Sequence, residues 1–358
     1  MNELWINEAF HDALPEDFHG GVRWQSPSNI ALVKYWGKSP KGPQLPQNPS
    51  VSFTLSQCRT ETSVFFEKSD RFGLRFRFEG KEQPTFQQKI CDFLKAQAAY
   101  FPFLQQLDLQ INSRNTFPHS SGIASSASSM SALVLCLLDI ERQAKGVGEM
   151  DLKKASYFAR LASGSACRSV FPKMALWGAC DAMPDSSDDY AVSLKDRIDP
   201  VFNTYHDSIL LVSDAQKAVS SRAGHALMDT NPYAEARYAE ARRNTEALLA
   251  ALRTGDLQSF VQLVETEAMQ LHALMMCSHP SFILLKPNTL RIIEALMEFR
   301  KETDIPACFT LDAGPNVHLL YPDQHAEIVE RFIMDELERY CVGGQWIPDR
   351  VGEGASRC

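Results

Sequence analysis

Near residue 200 the spacing of apolar residues changes, and this change constrains the fold more than any other feature of the chain. Upstream, VSFTLSQC (51–58), TSVFFEK (62–68) and LRFRFEG (74–80) read as strands, and LDLQINSRN (107–115) as a strand entering a loop. The segment 22–36 predicts a strand, a Ser-Pro-Ser-Asn turn and a second ordered element, and helices are expected over 87–100 and 151–163. Downstream, helical spacing fills roughly 232–253, 256–276, 288–302 and 323–340, with strands at DSILLVSD (207–214) and ACFTLDAG (307–314). Strands first and helices later predict a mixed α/β or α+β protein with a boundary at 200–206. The 358 residues suffice for two domains, placed at 1–205 and 206–358, and the final stretch from GGQWIPDR onward reads as a loosely held tail.

Charge and cysteine usage narrow the function classes. A net charge of -8 carries no basic footprint for nucleic acid, although a few basic side chains and amides still suffice to bind a small anion. No run of 18 apolar residues occurs, and the acidic N-terminus lacks the basic start and apolar stretch of a secretory signal. Nine dispersed cysteines without a C-x-x-C pair read as reduced thiols, so a cytoplasmic protein without membrane or nucleic-acid partners is expected.

Four segments carry candidate chemistry. FPHSSGIASS (117–126) lies between a strand and an apolar helix, where free amides at a helix start bind phosphate and Gly122 permits close backbone approach. Ser120, Ser121, Ser125 and Ser126 could add donors or hold a magnesium ion, and His119 sits in the same loop. Small residues there also serve tight helix packing, and the loop matches neither a Walker motif nor G-x-G-x-x-G. In SPSNIALVKYWGK (26–38), Lys34 and Lys38 flank Tyr35 and Trp36 with Asn29 upstream, which suits either an anion site or a solvated edge. SGSACRS brings Ser163, Ser165 and Arg168 together, enough for bidentate carboxylate binding or for a helix cap. In LDAGPN, Asp312 ends an apolar strand at a turn, a place for a general base and equally for ordinary turn chemistry. Serine-hydrolase and zinc signatures are absent from the sequence.

Taken together, NIALVKYWGK, NPSVSFTLS, FPHSSGIASSASS, SGSACRS, VSDAQKAVSS and LDAGPN resemble the diphosphomevalonate decarboxylase family, within the GHMP kinase superfamily, in the family's order from about residue 26 to 321. The resemblance implies a domain like the second domain of ribosomal protein S5 followed by a ferredoxin-like α+β domain. It implies ATP and Mg2+ as cofactors, mevalonate 5-diphosphate as substrate, and a homodimer. Asp312 then stands at the position of the catalytic aspartate, Arg168 at that of the carboxylate partner, and Lys34 at that of a lysine beside the reacting groups. Asn29, Tyr35, Lys38, Ser163, Ser165 and Arg222 are implied substrate contacts. Pro118, Ser120, Ser121, Gly122, Ala124, Ser125 and Ser126 are implied ATP contacts, with Ser125 or Ser126 as the catalytic-site serine.

Three departures stand out: a more polar loop carrying His119, Phe171-Pro172-Lys173 in place of a Gly-Gly pair, and Arg222 and His225 where the family often has a smaller residue and a methionine. Rival readings are a phosphomevalonate decarboxylase, a kinase without decarboxylation, and a non-catalytic paralogue. Retention of Asp312, Arg168 and Lys34 argues against the last two, and Lys38, Tyr35 and Arg222 favour the diphosphate.

Overall fold

The computed structural model describes residues 3–118, 123–215 and 221–358, with backbone alone at 3–4 and 221–222. Seven strands of the first half share one sheet: β1 (His19–Ala31), β2 (Ser50–Lys68), β3 (Gly73–Phe78), β4 (Lys81–Glu82), β5 (Leu107–Asn115), β6 (Met174–Trp177) and β7 (Ala191–Ser193). The hydrogen-bonded order runs from the segment Ser356–Arg357 through β1, β2, β5 and β3 to β4, while β6 pairs with the start of β2 and with β7.

Two expected breaks are continuous strand. β1 runs through Pro27, where the register against β2 shifts between Pro27 and Asn29. The extra residues are on β2, where 55–58 stand opposite Ser28 alone and the amides of Ser56, Gln57 and Cys58 turn to Asp349, so the ladder yields in a bulge of β2 while β1 continues. The pair of strands expected at 51–58 and 62–68 is the single 19-residue β2. Nothing between them breaks a strand, and buried Thr60 bonds to Asn115 on β5 and to Ser128.

Helices α1 (Glu3–Asn7), α2 (Pro84–Ala96), α3 (Ser125–Lys145) and α4 (Leu152–Ala162) belong to this half. Leu133, Val134, Leu137 and Ile140 of α3 share a core with Val22, Trp24, Val64 and Leu109 of the sheet. Trp5 of α1 seals its far edge against Tyr157 of α4, ring centroids 4.4 Å apart.

The second half holds an antiparallel sheet of β8 (His206–Leu210), β9 (Cys308–Leu311), β10 (Val317–Tyr321) and β11 (Trp346–Arg350), in the order β11-β8-β10-β9. Its helices are α5 (Ser221–Ala226), α6 (Ala234–Thr254), α7 (Leu257–Met276), α8 (Pro287–Thr303) and α9 (Ala326–Phe332). Leu210, Phe309, Val317 and Leu319 face α8 and α9, whereas the alternate residues Ile209, Cys308 and Leu320 join a core with α6, α7 and Phe53 of β2. A sheet covered on both faces reads as an unbroken apolar run, which is why the sequence shows little alternation there. The helix expected over 323–340 is instead a short series of 3-10, α and π turns.

The expected loose tail is firmly held. β11 pairs with β8, Asp349 is buried, and its carboxylate accepts from the amides of Ser56, Gln57 and Cys58 at 2.7–2.8 Å. Polar composition at the chain end predicts exposure, and Arg350, Glu353, Ser356 and Arg357 are exposed, but Asp349 turns inward to backbone donors and fixes the segment. Among the described residues, no helix is long and apolar enough to cross a membrane.

Candidate active site

After β1 the chain turns through residues 32–38, anchored by the amides of Leu32 and Val33 on the carbonyl of Val51. This turn buries Lys34, which is only 3% exposed. Its Nζ donates to the Ala31 carbonyl at 2.5 Å and to Thr310 Oγ1 at 2.7 Å, so a lysine of the first half meets β9 of the second. Burial pulls the ammonium down to about 8, opposed by the negative charges of Asp312 and Glu267. Glu267, fully buried on α7, accepts from the Lys34 amide at 2.9 Å and is held by both terminal nitrogens of Arg237 and by Asn244.

Asp312 stands just past β9, two residues beyond Thr310, at the corner that Gly314 closes by donating its amide to the Asp312 carbonyl at 2.7 Å. The corner leaves its side chain half-buried. Its charge acts on Lys34, Arg168, His225 and His272, which places all four around it.

SGSACRS folds into a 3-10 turn, Gly164–Val170, that drives Arg168 inward. Arg168 donates from Nη1 to Ser50 Oγ at 2.6 Å and from Nη2 to Asn29 Oδ1 at 3.2 Å, with its guanidinium 5.8 Å from the Trp177 ring. Asn29 in turn donates to the Ser165 carbonyl and Ser169 Oγ, which locks its amide orientation. Ser163 and Ser165 stay partly exposed at the start of the turn. Gly164 is required there: a Cβ would lie 2.9 Å from the Tyr35 ring and 3.1 Å from Trp177.

Tyr35 packs against Trp177 and His225, and His225 stacks on Trp36 with centroids 4.7 Å apart. The Gly37 amide donates to His225 Nδ1 at 3.0 Å, and burial pushes this imidazole down to about 3, so it is neutral with Nε2 protonated. Lys38 is partly exposed beside it. Three buried donors here lack an acceptor among the described residues: Arg168 Nε, Tyr35 Oη and Trp36 Nε1. Unpaired buried donors are costly, and an oxygen-rich anion would satisfy them.

α3 begins at Ser125 without a side-chain cap, after Ala124 in a left-handed conformation at φ 31°. The Ala127 amide is already bonded to the Ala124 carbonyl at 2.8 Å, which leaves the amides of Ser125 and Ser126 at the helix start to meet a phosphate. Ser125 is partly exposed and Ser126 exposed, whereas Ser128 and Ser131 turn inward to Thr60 and Ser26. Ser28 Oγ donates to the Ile123 carbonyl at 2.9 Å, tying the loop's end to the residue before Asn29. Pro118 is exposed. His119, Ser120, Ser121 and Gly122 lie outside the described residues, as does the Arg222 side chain.

Asn29, Lys34, Tyr35, Ser163, Ser165, Arg168 and Asp312 thus gather in one place. Sequence reasoning missed Ser50, Thr310, Glu267, His272 and Trp177; of these only Ser50 lies in one of the segments that carry the family resemblance, NPSVSFTLS. Phe171-Pro172-Lys173 faces elsewhere, bonding to Thr54 of β2 and to Gly352. No three His, Cys, Asp or Glu side chains are grouped to hold a metal among the described residues.

Family models match at residues 26–191, the diphosphomevalonate decarboxylase-like N-terminal domain, and at 208–345, the mevalonate 5-diphosphate decarboxylase C-terminal domain. Diphosphomevalonate decarboxylase of Candida albicans is 33% identical over 319 residues, 85% of each chain. The chain belongs to the diphosphomevalonate decarboxylase family. The Saccharomyces cerevisiae diphosphomevalonate decarboxylase is 31% identical over 325 residues, covering 86% of this chain and 79% of that one. Mevalonate diphosphate decarboxylase from Staphylococcus aureus superposes with a TM-score of 0.82 at 26% identity, covering 95% and 98%. A structure described as MDDEF in complex with MVAPP, AMPPCP and magnesium gives 0.80 at 28% identity, covering 95% and 99%. The diphosphomevalonate decarboxylases therefore share this chain's two-part GHMP-kinase-type fold along almost its whole length.

Proposed function

We propose that this chain converts mevalonate 5-diphosphate and ATP into isopentenyl diphosphate, ADP, phosphate and carbon dioxide. The observation that carries the reading is the convergence of a carboxylate, a buried ammonium and a buried guanidinium, Asp312, Lys34 and Arg168, beside donors with nothing to bind.

A β-hydroxy acid resists decarboxylation because hydroxide leaves poorly and no electron sink is present. Phosphorylating the tertiary hydroxyl supplies a leaving group. As phosphate departs, the bond to the carboxylate collapses into the electron-poor carbon and carbon dioxide is released. Asp312, at the corner past β9, orients the hydroxyl and takes its proton. Arg168, with Nη1 and Nη2 occupied by Ser50 and Asn29, still has Nε–H to offer the substrate carboxylate. Lys34 adds positive charge where negative charge develops during phosphoryl transfer.

Asn29, Tyr35, Lys38, Ser163, Ser165 and Arg222 are assigned to the substrate. Pro118, Ser120, Ser121, Gly122, Ala124, Ser125 and Ser126 are assigned to the ATP phosphates. The uncapped start of α3 fits that role. Magnesium, held on ATP phosphate oxygens with a hydroxyl of Ser125 or Ser126, would spread charge over the transferring group. The division into units 1–205 and 206–358, a cytoplasmic location and a homodimer complete the reading.

The test is a product assay with ATP and magnesium on mevalonate 5-diphosphate, the 5-phosphate and mevalonate. Carbon dioxide, ADP and phosphate from the diphosphate alone are expected. Carbon dioxide from the monophosphate, or ADP without carbon dioxide, would overturn the assignment.

A further inference from the structure

Three polar side chains of α7 are bonded to main-chain groups of the candidate site. Glu265 Oε1 accepts from the Phe309 amide at 3.3 Å, near the start of β9. Glu267 Oε2 accepts from the Lys34 amide at 2.9 Å. His272 Nε2 lies 3.2 Å from the Asp312 carbonyl oxygen. A carbonyl oxygen only accepts, so Nε2 carries the ring proton and Nδ1 keeps a bare lone pair, which is buried without a partner among the described residues. The imidazole is 1% exposed, and burial pulls it down to about 4, so the donor stays neutral and in one tautomer at physiological pH.

The same carbonyl accepts from the Gly314 amide at 2.7 Å. Both its lone pairs are therefore engaged, one by the turn and one by the helix. A peptide plane held from two directions cannot rotate freely, and the Asp312 side chain leaves from the Cα at its edge. Lys34 is fixed to the same helix at Glu267, five residues earlier.

We propose that His272 is a positioning residue for Asp312, and that α7, holding Lys34 through Glu267 and Asp312 through His272, sets the spacing of the carboxylate and the ammonium. This rests on the reading of Asp312 as the base in the proposed reaction. A displacement of about 1 Å between reacting groups costs about 100-fold in rate. His272→Leu keeps the bulk and removes the donor; His272→Gln returns an N–H near the position of Nε2.

The experiment is a double-mutant cycle of kcat and KM for ATP-driven carbon dioxide release, using the full chain with His272→Leu, His272→Gln, Asp312→Asn and the His272→Leu/Asp312→Asn pair. His272→Leu is expected to lower kcat about 10- to 100-fold with KM for the diphosphate within about twofold, and His272→Gln to recover most of it. In the Asp312→Asn background, His272→Leu is expected to change the residual rate less than about threefold, because it has no base left to misplace. Full kcat in folded His272→Leu would overturn the proposal while leaving the proposed function intact. So would an equal further loss on top of Asp312→Asn. If His272→Leu unfolds, His272→Gln decides: near-normal kcat supports the donor role and a loss as large as that of Asp312→Asn refutes it. An inactive wild type would instead refute the proposed function and this inference with it.

Discussion

The ammonium of Lys34 and the hydroxyl of Thr310 are 2.7 Å apart although 276 residues separate them. This contact closes the candidate site between the end of β1 and the end of β9, and it brings Lys34 into the field of Asp312. Neither strand alone offers a buried cation beside a carboxylate; the pair exists only where the halves meet.

A lysine drawn down to about 8 titrates within reach of ordinary assays. In the proposed reaction its ammonium supports phosphoryl transfer, so kcat/KM for the diphosphate is expected to fall as pH rises through about 8. Lys34→Met should lose at least about 100-fold and show no such limb. Stability moves the other way. Between about 8 and 10.5 the unfolded chain holds a proton that the folded one has released, so wild type should gain stability over Lys34→Met across that window. Urea titrations at pH 7.5 and 10 check the sign.

Arg168→Lys is expected to be as damaging as a deletion. The guanidinium spans Ser50 and Asn29 with separate nitrogens and still points Nε elsewhere, whereas an ammonium offers one point charge. A fall in kcat/KM of about 100-fold or more is predicted, with a thermal midpoint near that of wild type. Steady-state kinetics beside a melting curve would show both; retention of a tenth of the activity contradicts the role.

Acid should destabilise the fold before it protonates carboxylates generally. His225 and His272 are held neutral by burial, down to about 3 and about 4. Below pH 6.5 the unfolded chain takes up protons that the folded chain refuses, so stability falls from there down to about 3–4, by up to about 8 kcal/mol in sum. His225→Met removes one of these groups. The drop in unfolding free energy from pH 7 to 5 is expected to be smaller in that variant, by about 1–2 kcal/mol.

Asp349→Ala should cost about 2–4 kcal/mol, because three amides of β2 lose a charged acceptor. Denaturant unfolding followed by tryptophan fluorescence measures it. Asp349→Asn should recover part of the loss, and a change below about 0.5 kcal/mol would show that water replaces the carboxylate.

Much of this was legible in the residues. Lys34, Arg168 and Asp312 each sit in a short unusual segment, and the resemblance of those segments to one family ordered them before any geometry was known. The partners that hold them were not. Thr310 is one hydroxyl in an apolar strand, and Glu267 reads like a solvated residue of an amphipathic helix until Arg237, Asn244 and Lys34 close around it. Local patterns report what a residue is, while burial depends on elements hundreds of positions away. The end of the chain misled for the same reason: Asp349 looks like surface, and its donors lie near residue 57.

That carboxylate also bears on how such a chain is inherited. β11 is paired with the second sheet, yet Asp349 serves the first, and Ser356–Arg357 lines its edge. A recombination event at the proposed boundary near 205 would transfer residues 206 onward as a block and present β2 with a stranger's Asp349. A second crossover close to 345 would keep Asp349 with β2 yet still part Lys34 from Glu267 and Thr310, so exchanging halves between relatives is expected to cost contacts wherever the joint is placed.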